Sequence, residues 1–210
     1  MTLRQARRRP ACGFTLIELA VTMTLVGILL AVALPSFMAW IRNAQVRAVA
    51  DSLQNGVRRA QTEAVRLNQG VVFSLTGDNP AVTSTAAANG RNWAIHSIAQ
   101  FADVNHQKSF LTGGSLADVS SSVTIKLTNN GVDAAAMCFN SNGRLSAPAA
   151  TGVTGAVCVA TPQRFDIEQP GRTLASGDRR LRVLVAIGGQ VRMCDPDRPT
   201  LSATTPDGCP

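Results

Sequence analysis

Apolar residues dominate the first part of the chain. From Phe14 to Ile41 the only charged side chain is Glu18, and the stretch from Leu19 to Leu34 contains only apolar, small and hydroxyl residues. A helix of this length is about 42 Å long at ~1.5 Å per residue, which exceeds the ~30 Å hydrocarbon core of a bilayer. The pattern therefore predicts a transmembrane helix over residues 14–41. Pro35 predicts a bend or a local melting of that helix, because proline removes a backbone donor.

The helical period continues beyond the apolar segment. Apolar residues recur every three or four positions, which is the spacing of one helix face, at Val46, Val49, Leu53, Val57, Ala60, Ala64 and Leu67. Charged residues, most of them arginines, fill the positions between and predict a solvated face. Asn68-Gln69-Gly70 supplies a stop signal with glycine at the C-terminal end. We therefore expect one helix over residues 14–68, whose second half packs on a folded domain.

After Gly70 the pattern changes to short stretches rich in β-branched residues, separated by turn residues. The predicted strands are 71–76, 92–98, 122–128, 135–140, 155–160, 164–168, 180–187 and 190–194. Asn142-Gly143 and Gly188-Gly189 are typical of hairpin turns, and residues 77–90 read as an exposed loop. The fold class predicted is α+β, with the long N-terminal helix packed against an antiparallel β-sheet domain.

The positive charge of the chain is concentrated at its start. The net charge is +7, but residues 1–13 hold four arginines and no acid, and the remainder has 16 basic against 13 acidic residues. This distribution is weak evidence for a polyanion partner. A basic head before an apolar helix instead indicates a cytoplasmic anchor, so that the domain after the helix is exported across the membrane.

Four of the five cysteines lie in the C-terminal half, at positions 138, 158, 194 and 209, without the close pairs that zinc sites favour. An exported domain with two disulfides accounts for this even number. Three connectivities are possible, and we predict that sequence neighbours pair, Cys138 with Cys158 and Cys194 with Cys209. The fifth, Cys12, lies in the basic head, where a cytoplasmic thiol stays reduced.

Three ordinary explanations for the N-terminal segment are less satisfactory. A cleavable secretory signal has a candidate cut site at Ala31-Val32-Ala33, but the apolar stretch is long and contains an acid. A lipoprotein signal places its cysteine after the apolar run, whereas Cys12 precedes it. A plain anchor leaves Glu18 unexplained, because a carboxylate in hydrocarbon costs several kcal/mol unless it is paired.

The arginine-rich head followed by Gly13-Phe14-Thr15-Leu16-Ile17-Glu18-Leu19 resembles the type IV prepilin signal. The resemblance implies cleavage between Gly13 and Phe14 by a prepilin peptidase, and N-methylation of Phe14. Glu18 then neutralises the amine of a neighbouring subunit during filament assembly. The implied organisation is a leader over residues 1–13, a membrane and assembly helix over 14–41, and a periplasmic domain over 42–210.

The segment from Arg180 to Pro196 resembles the C-terminus of the GspH/FimT family of minor pseudopilins and minor pilins. It combines a strand, a glycine turn and a basic strand that ends in Cys194-Asp195-Pro196. The resemblance implies a structural subunit that initiates or caps a type IV pilus or a type II secretion pseudopilus. Other major and minor pilins or pseudopilins are its implied partners, and the inner membrane is its location before assembly. The Cys-Asp-Pro ending favours the pilus.

Some members of that family bind DNA through a Gly-Arg-x-Arg pattern at this turn. The matching residues are Gly189-Gln190-Val191-Arg192, so the first arginine is missing. Nearby cations that replace it electrostatically are Arg179, Arg180, Arg182 and Arg198. If Gly188-Gly189 is a two-residue turn, however, Arg182 lies opposite Asp195 and pairs with it. We expect weak DNA binding at most.

An enzyme is the remaining alternative class. The two histidines, His96 and His106, fall in a predicted strand and a predicted loop with no acid at metal-ligand spacing, and none of the common catalytic motifs is present. A membrane-anchored periplasmic enzyme is therefore disfavoured. We predict no enzymatic activity, no cofactor and no metal site.

Overall fold

The computed structural model describes residues 14–98, 108–171 and 177–210. Helix α1 spans Leu16–Leu67, close to the predicted 14–68. It continues without interruption through position 35, so the local melting considered there does not occur. Thr15 caps its start, because the Glu18 backbone N–H donates to Thr15 Oγ1 at 3.2 Å. Asn68 ends the helix with a φ of 52°, a left-handed conformation that asparagine tolerates.

The chain divides into two compact units after Trp40, and the second unit, Ile41–Pro210, contains every strand of the described residues. One antiparallel sheet has the order β3-β2-β1-β6-β7 and the other the order β10-β9-β8-β4-β5. The strands are β1 Val71–Thr76, β2 Asn92–Ser97, β3 Phe110–Ser115, β4 Thr124–Asn129, β5 Val132–Asp133, β6 Ala136–Phe139, β7 Leu145–Ser146, β8 Gln163–Glu168, β9 Leu181–Val185 and β10 Val191–Cys194.

The second half of α1 packs on the inner faces of both sheets. Six of the seven residues predicted for its apolar face are 1% exposed or less, while Leu67 is half-buried. Phe73 of β1 and Phe165 of β8 meet edge to face at 6.0 Å between ring centroids, which joins the two sheets above the helix. Gly56 is also buried in this face, because the rings of Phe73 and Trp93 occupy the space of a side chain. One hydrophobic core therefore unites the helix with both sheets.

The predicted strand at 155–160 is wrong. These residues form turns and irregular structure. The hydroxyl of Thr151, just before them, donates to the Val153 and Ala156 carbonyls at 3.2 and 3.1 Å. Together with loop 77–90 they cover the outer face of the first sheet, where Val72, Cys138 and Cys158 are buried. The backbone N–H of Ala86 donates to the Thr154 carbonyl at 2.8 Å and links the two loops. Loop 77–90 is therefore anchored as well as exposed.

Arg42 departs from the predicted solvated face of the helix. Its Nε lies 2.7 Å from Asp178 Oδ1, and both side chains are largely buried. Asn43 beside it holds the same segment, since its amide donates to the Gly177 carbonyl at 3.0 Å and accepts the Arg179 backbone N–H at 2.8 Å. The first turn of the second unit is thus fastened to the segment that precedes β9.

Candidate functional site

The apolar half of α1 has no cover within the described residues. Phe14 is 83% and Trp40 66% exposed, and the other large apolar side chains between them are also exposed. This is the one helix in the described part of the chain that is long and apolar enough to cross a membrane. Leaving such a surface in water forfeits the hydrophobic free energy of its burial.

Glu18 is the one charged side chain of this apolar segment. The hydroxyls of Thr22 and Thr24 donate to carbonyls of the preceding turn, Leu19 at 2.9 Å and Val21 at 2.8 Å, so both are compatible with hydrocarbon. Among the described residues, none makes an ion pair with the Glu18 carboxylate. Phe14 lies one turn before it, and Gly13 lies outside the described residues.

The β9–β10 turn has three residues, not the two considered above. The Ala186 N–H donates to the Gln190 carbonyl at 3.0 Å and the Gly189 N–H to the Ala186 carbonyl at 2.8 Å. Gly189 has a φ of 87°, the left-handed residue of such a loop. The extra residue shifts the register by one, so Arg182 lies opposite Cys194. The predicted Arg182–Asp195 pair is therefore wrong.

Arg182 and Arg180 each bind a carboxylate of this chain. Arg182 Nε lies 2.6 Å from Asp166 Oδ1 on the neighbouring strand β8. Arg180 makes a bidentate contact with Asp197, with Nε 3.1 Å from both oxygens. Hydrogen bonding between these side chains raises the pKa of Arg180 and lowers the pKa of Asp197. Neither guanidinium is left free for a polyanion.

The other two predicted DNA contacts are made within or to the C-terminal tail, residues 195–210, of which Arg198 is itself a part. Arg198 Nε lies 3.2 Å from Asp207 Oδ2, and Arg192 Nη2 donates to the Pro206 carbonyl at 3.2 Å. The two arginines therefore stabilise the tail, a role that sequence reasoning missed. The signal available in the sequence was the presence of three aspartates, at 195, 197 and 207, inside the loop that the last cysteine pair closes.

Both predicted disulfides form. Cys138 of β6 is joined to Cys158 in the loop that covers the first sheet, and Cys194 at the end of β10 is joined to Cys209 near the end of the chain. Each bond ties an irregular segment to a strand. The disulfides therefore stabilise two segments of the second unit that have little regular secondary structure.

Reduction of these bonds should lower thermal stability. Each closes a loop of ~15–20 residues, for which the chain-entropy model gives about 3 kcal/mol. We expect a clear drop in melting temperature when the protein is treated with a reductant, and peptide mapping of the untreated protein should recover both pairs. Two or more titratable thiols among residues 138–209 of native protein from an oxidising compartment would contradict this assignment.

His96 anchors a loop. The side chain is fully buried, and its Nε2 lies 2.9 Å from the Ala81 carbonyl, so Nε2 carries the proton. Burial lowers the pKa of His96, because the charged form loses its hydration. His106, the other histidine, lies outside the described residues. Among the described residues no group of three potential metal ligands occurs, and His96 acts structurally.

Comparison with known proteins finds matches to the N-terminal segment and to the fold of the chain. Residues 8–34 match the prokaryotic N-terminal methylation motif. The type IV major pilin protein PilE1 of Neisseria gonorrhoeae is 38% identical over 86 residues, which cover 41% of this chain and 38% of that protein. The chain therefore spans less than two fifths of the length of this relative. The motif match agrees with the prepilin resemblance at Gly13–Leu19.

Two solved structures resemble the chain over most of its length. The type IV minor pilin FimU of Pseudomonas aeruginosa matches with a TM-score of 0.50 and 16% identity, over 76% of this chain and 95% of FimU. The minor pseudopilin EpsH of the Vibrio cholerae type 2 secretion system matches with a TM-score of 0.46 and 13% identity, over 73% of this chain and 99% of EpsH. The likeness to FimU shows a pilin-like fold, with the long helix against antiparallel sheets that the sequence predicted.

Proposed function

We propose that this chain is a minor pilin or pseudopilin, a structural subunit that helps to initiate or cap a type IV pilus or a type II secretion pseudopilus. The observation that carries the proposal is the methylation motif at residues 8–34, which leads without a break into an exposed apolar helix and a pilin-like unit. Two proteins that the chain resembles are pilins, PilE1 of Neisseria gonorrhoeae in sequence and FimU of Pseudomonas aeruginosa in fold. His96 anchors a loop through its hydrogen bond to the Ala81 carbonyl, which agrees with a structural role for the chain.

The processing step follows from the motif. A prepilin peptidase cleaves between Gly13 and Phe14, the arginine-rich leader stays behind, and the new amine of Phe14 is methylated. Until assembly, the helix crosses the inner membrane once and the second unit lies in the periplasm. Because the apolar half of α1 is uncovered, transfer from lipid to a bundle of pilin helices retains its hydrophobic burial.

Glu18 sets the stagger between the helices of neighbouring subunits in the filament. In lipid its carboxylate is unpaired or protonated, and either state costs free energy. A neighbouring subunit presents the amine of its own Phe14, so an ion pair forms only when the two helices are staggered by about one turn. Breaking a buried pair costs more than replacing both partners with apolar groups. The pair therefore disfavours incorrect staggers more than it stabilises the correct one.

Glu18→Ala should leave membrane insertion intact and reduce incorporation into filaments by roughly tenfold or more, because an unpaired buried amine costs several kcal/mol. The measurement is the amount of this chain in sheared filaments relative to the membrane fraction. Asp51→Ala is the matched control, since it removes an acid from the exposed face of the same helix. Wild-type incorporation of the Glu18→Ala chain would refute this role.

The DNA-binding alternative has no support in the contacts. Arg180, Arg182 and Arg198 are each within ion-pair distance of a carboxylate, and Arg192 is bound to a backbone carbonyl. Phosphate binding would have to break these contacts before it released any counterion. We therefore do not extend the proposed function to DNA uptake.

A further inference from the structure

Two aromatic side chains lie at the C-terminal end of the uncovered apolar segment of α1. Phe37 and Trp40 are about one helical turn apart, and their rings stack with 5.9 Å between centroids and 24° between ring planes. Both side chains are more than half exposed. The pair therefore presents a continuous aromatic surface that the described residues leave largely open.

The chemistry of the two rings differs in a way that fits the boundary of a bilayer. The indole of Trp40 has an apolar ring and one N–H donor, so it suits a place that is apolar on one side and wet on the other. In membrane proteins such side chains concentrate at the level of the lipid headgroups. Phe37 lies one turn deeper in the apolar segment and has no polar atom. The order of the pair therefore matches the change from hydrocarbon to headgroup.

The distance from this pair to the start of the helix matches the thickness of a bilayer. The helix from Phe14 to Trp40 is ~39 Å long at ~1.5 Å per residue, against ~40–45 Å for a bilayer with its headgroup regions. From Glu18 to Trp40 the length is ~33 Å, slightly more than the ~30 Å hydrocarbon core. A typical tilt of ~20° shortens both lengths by only ~6%. When Trp40 lies among the headgroups of one leaflet, Glu18 therefore lies at the boundary of the other.

The first cations after the apolar segment are poorly placed to hold its end at the membrane surface. Arginine side chains often do so by extending towards the headgroups. Arg42, however, is largely buried in the second unit, where its Nε lies 2.7 Å from Asp178 Oδ1. The next cation, Arg47, lies ~10 Å beyond Trp40 along the helix. The aromatic pair is thus the group that meets the headgroups where the apolar segment ends.

We infer that Phe37 and Trp40 form an interfacial anchor, which binds the headgroup boundary of a lipid bilayer and sets the depth of the helix before assembly. Its orientation rests on the proposed function, which places Trp40 at the periplasmic surface. At this depth the Gly13–Phe14 bond lies at the cytoplasmic surface, where a peptidase reaches it from water. Glu18 lies at the edge of the hydrocarbon, so the cost of its unpaired carboxylate grows when the helix moves towards the periplasm.

The depth of Trp40 is directly measurable, because the chain has two tryptophans and no tyrosine. Trp93 is buried in the core of the second unit, so Trp93→Phe keeps an aromatic ring there and leaves Trp40 as the sole tryptophan. The full chain is placed in vesicles of phosphatidylethanolamine and phosphatidylglycerol, part of whose acyl chains carry bromine at a known depth. Bromine near the headgroup should quench Trp40 fluorescence more than bromine near the acyl-chain ends. The wild-type chain should show the same order, since lipid bromine does not contact a buried Trp93.

A tryptophan placed in the middle of the apolar segment is the matched control for depth. Leu29→Trp in a Trp40→Leu/Trp93→Phe chain puts the indole ~16 Å closer to the bilayer centre. Leu29 is exposed, so the larger ring meets no packed neighbour of this chain. Bromine near the acyl-chain ends should be the stronger quencher of this chain, which establishes that the measurement distinguishes the two depths.

Moving the aromatic pair tests whether it sets the depth of the helix. The starting chain carries Trp93→Phe and Glu18→Ala, so that no carboxylate resists the movement. The pair is moved by one turn towards the N-terminus with Phe37→Leu, Trp40→Leu, Ala33→Phe and Ser36→Trp. The indole should keep the quenching depth of Trp40, because the helix shifts by ~6 Å to hold the pair at the headgroups.

Three results overturn the inference once circular dichroism has established that each variant is folded. The first is stronger quenching of Trp40 by bromine near the acyl-chain ends. The second is a Trp40 that no brominated lipid quenches, as when water or another helix covers it. The third is an indole ~6 Å deeper in the chain with the moved pair, which shows that the apolar length alone sets the depth. A mature chain that begins at Phe14 and gives any of these results refutes the anchor and leaves the proposed function intact.

Discussion

Gly13→Val is expected to abolish processing, so that the chain keeps its arginine-rich leader and disappears from filaments. Glycine before the scissile bond leaves both sides of the peptide accessible, whereas a β-branched side chain obstructs the approach of a peptidase. Without cleavage no amine forms at Phe14, and the partner of a neighbouring Glu18 is lost. Four arginines also stay on the cytoplasmic side and oppose extraction from the membrane.

Mass spectrometry of the purified chain measures this directly. Wild-type protein should begin at residue 14 with N-methylphenylalanine, and the Gly13→Val chain should retain residues 1–13. Gly27→Val is the matched control, because it places the same substitution in the exposed apolar helix, where a Cβ meets nothing within 4 Å. A wild-type chain that starts at Leu34 would instead reveal a secretory signal cut after Ala33 and would refute the proposed function.

Phe73→Ala should cause the largest loss of stability in the second unit. The Phe73 ring is fully buried, stacks on Trp93 at 5.7 Å between centroids and meets Phe165 edge to face. Removing a buried phenylalanine costs about 3–5 kcal/mol, because the surrounding structure fills the cavity only in part. At roughly 2–4 °C per kcal/mol for a domain of this size, the melting temperature should fall by ~6–20 °C.

Thermal unfolding followed by near-ultraviolet circular dichroism reports this loss. Val132→Ala serves as the control, since Val132 is 70% exposed on an edge strand and its truncation removes little buried surface. We expect that control to remain within about 0.5 kcal/mol of the parent. A Phe73→Ala chain that melts with the control would mean that the two sheets and the helix are not joined through this ring.

Short-range pattern determined much of the fold. The apolar face of α1 was predictable because the helical period is a local property, and the observed ends differ from the predicted ones by at most two residues. Most strands were predictable from runs of β-branched residues. The turns at Gly143 and Gly189 were predictable because glycine tolerates the positive φ that each of them adopts. Asn130-Gly131 is a further Asn-Gly turn, at the β4–β5 hairpin, with φ values of 48° and 85°. It was not among the predicted turns.

Strand β3 shows the limit of local pattern. Its sequence, Phe-Leu-Thr-Gly-Gly-Ser, has little intrinsic strand preference. The glycines are required because Pro80 and the Trp93 backbone lie against Gly113, and the indole of Trp93 lies against Gly114. These neighbours are distant in sequence, so the demand for glycine arises only once the sheet has formed. The run at 155–160 shows the opposite case. Its local sequence predicted a strand, but a disulfide and side-chain hydrogen bonds hold it in an irregular conformation.

The sequence by itself was enough to propose which residues carry the assembly chemistry, because the leader, Gly13–Phe14 and Glu18 lie at fixed spacing along one segment. The cysteine pairing was predicted from the sequence among three possible connectivities, and the structure confirms it, since neighbours in sequence are neighbours in space. Only the tertiary structure decided what the C-terminal arginines do. One additional turn residue moved Arg182 from Asp195 to Asp166, and the folded tail brought Asp197 and Asp207 to Arg180 and Arg198. Register and long-range ion pairing depend on the packing of whole elements, which no local pattern records.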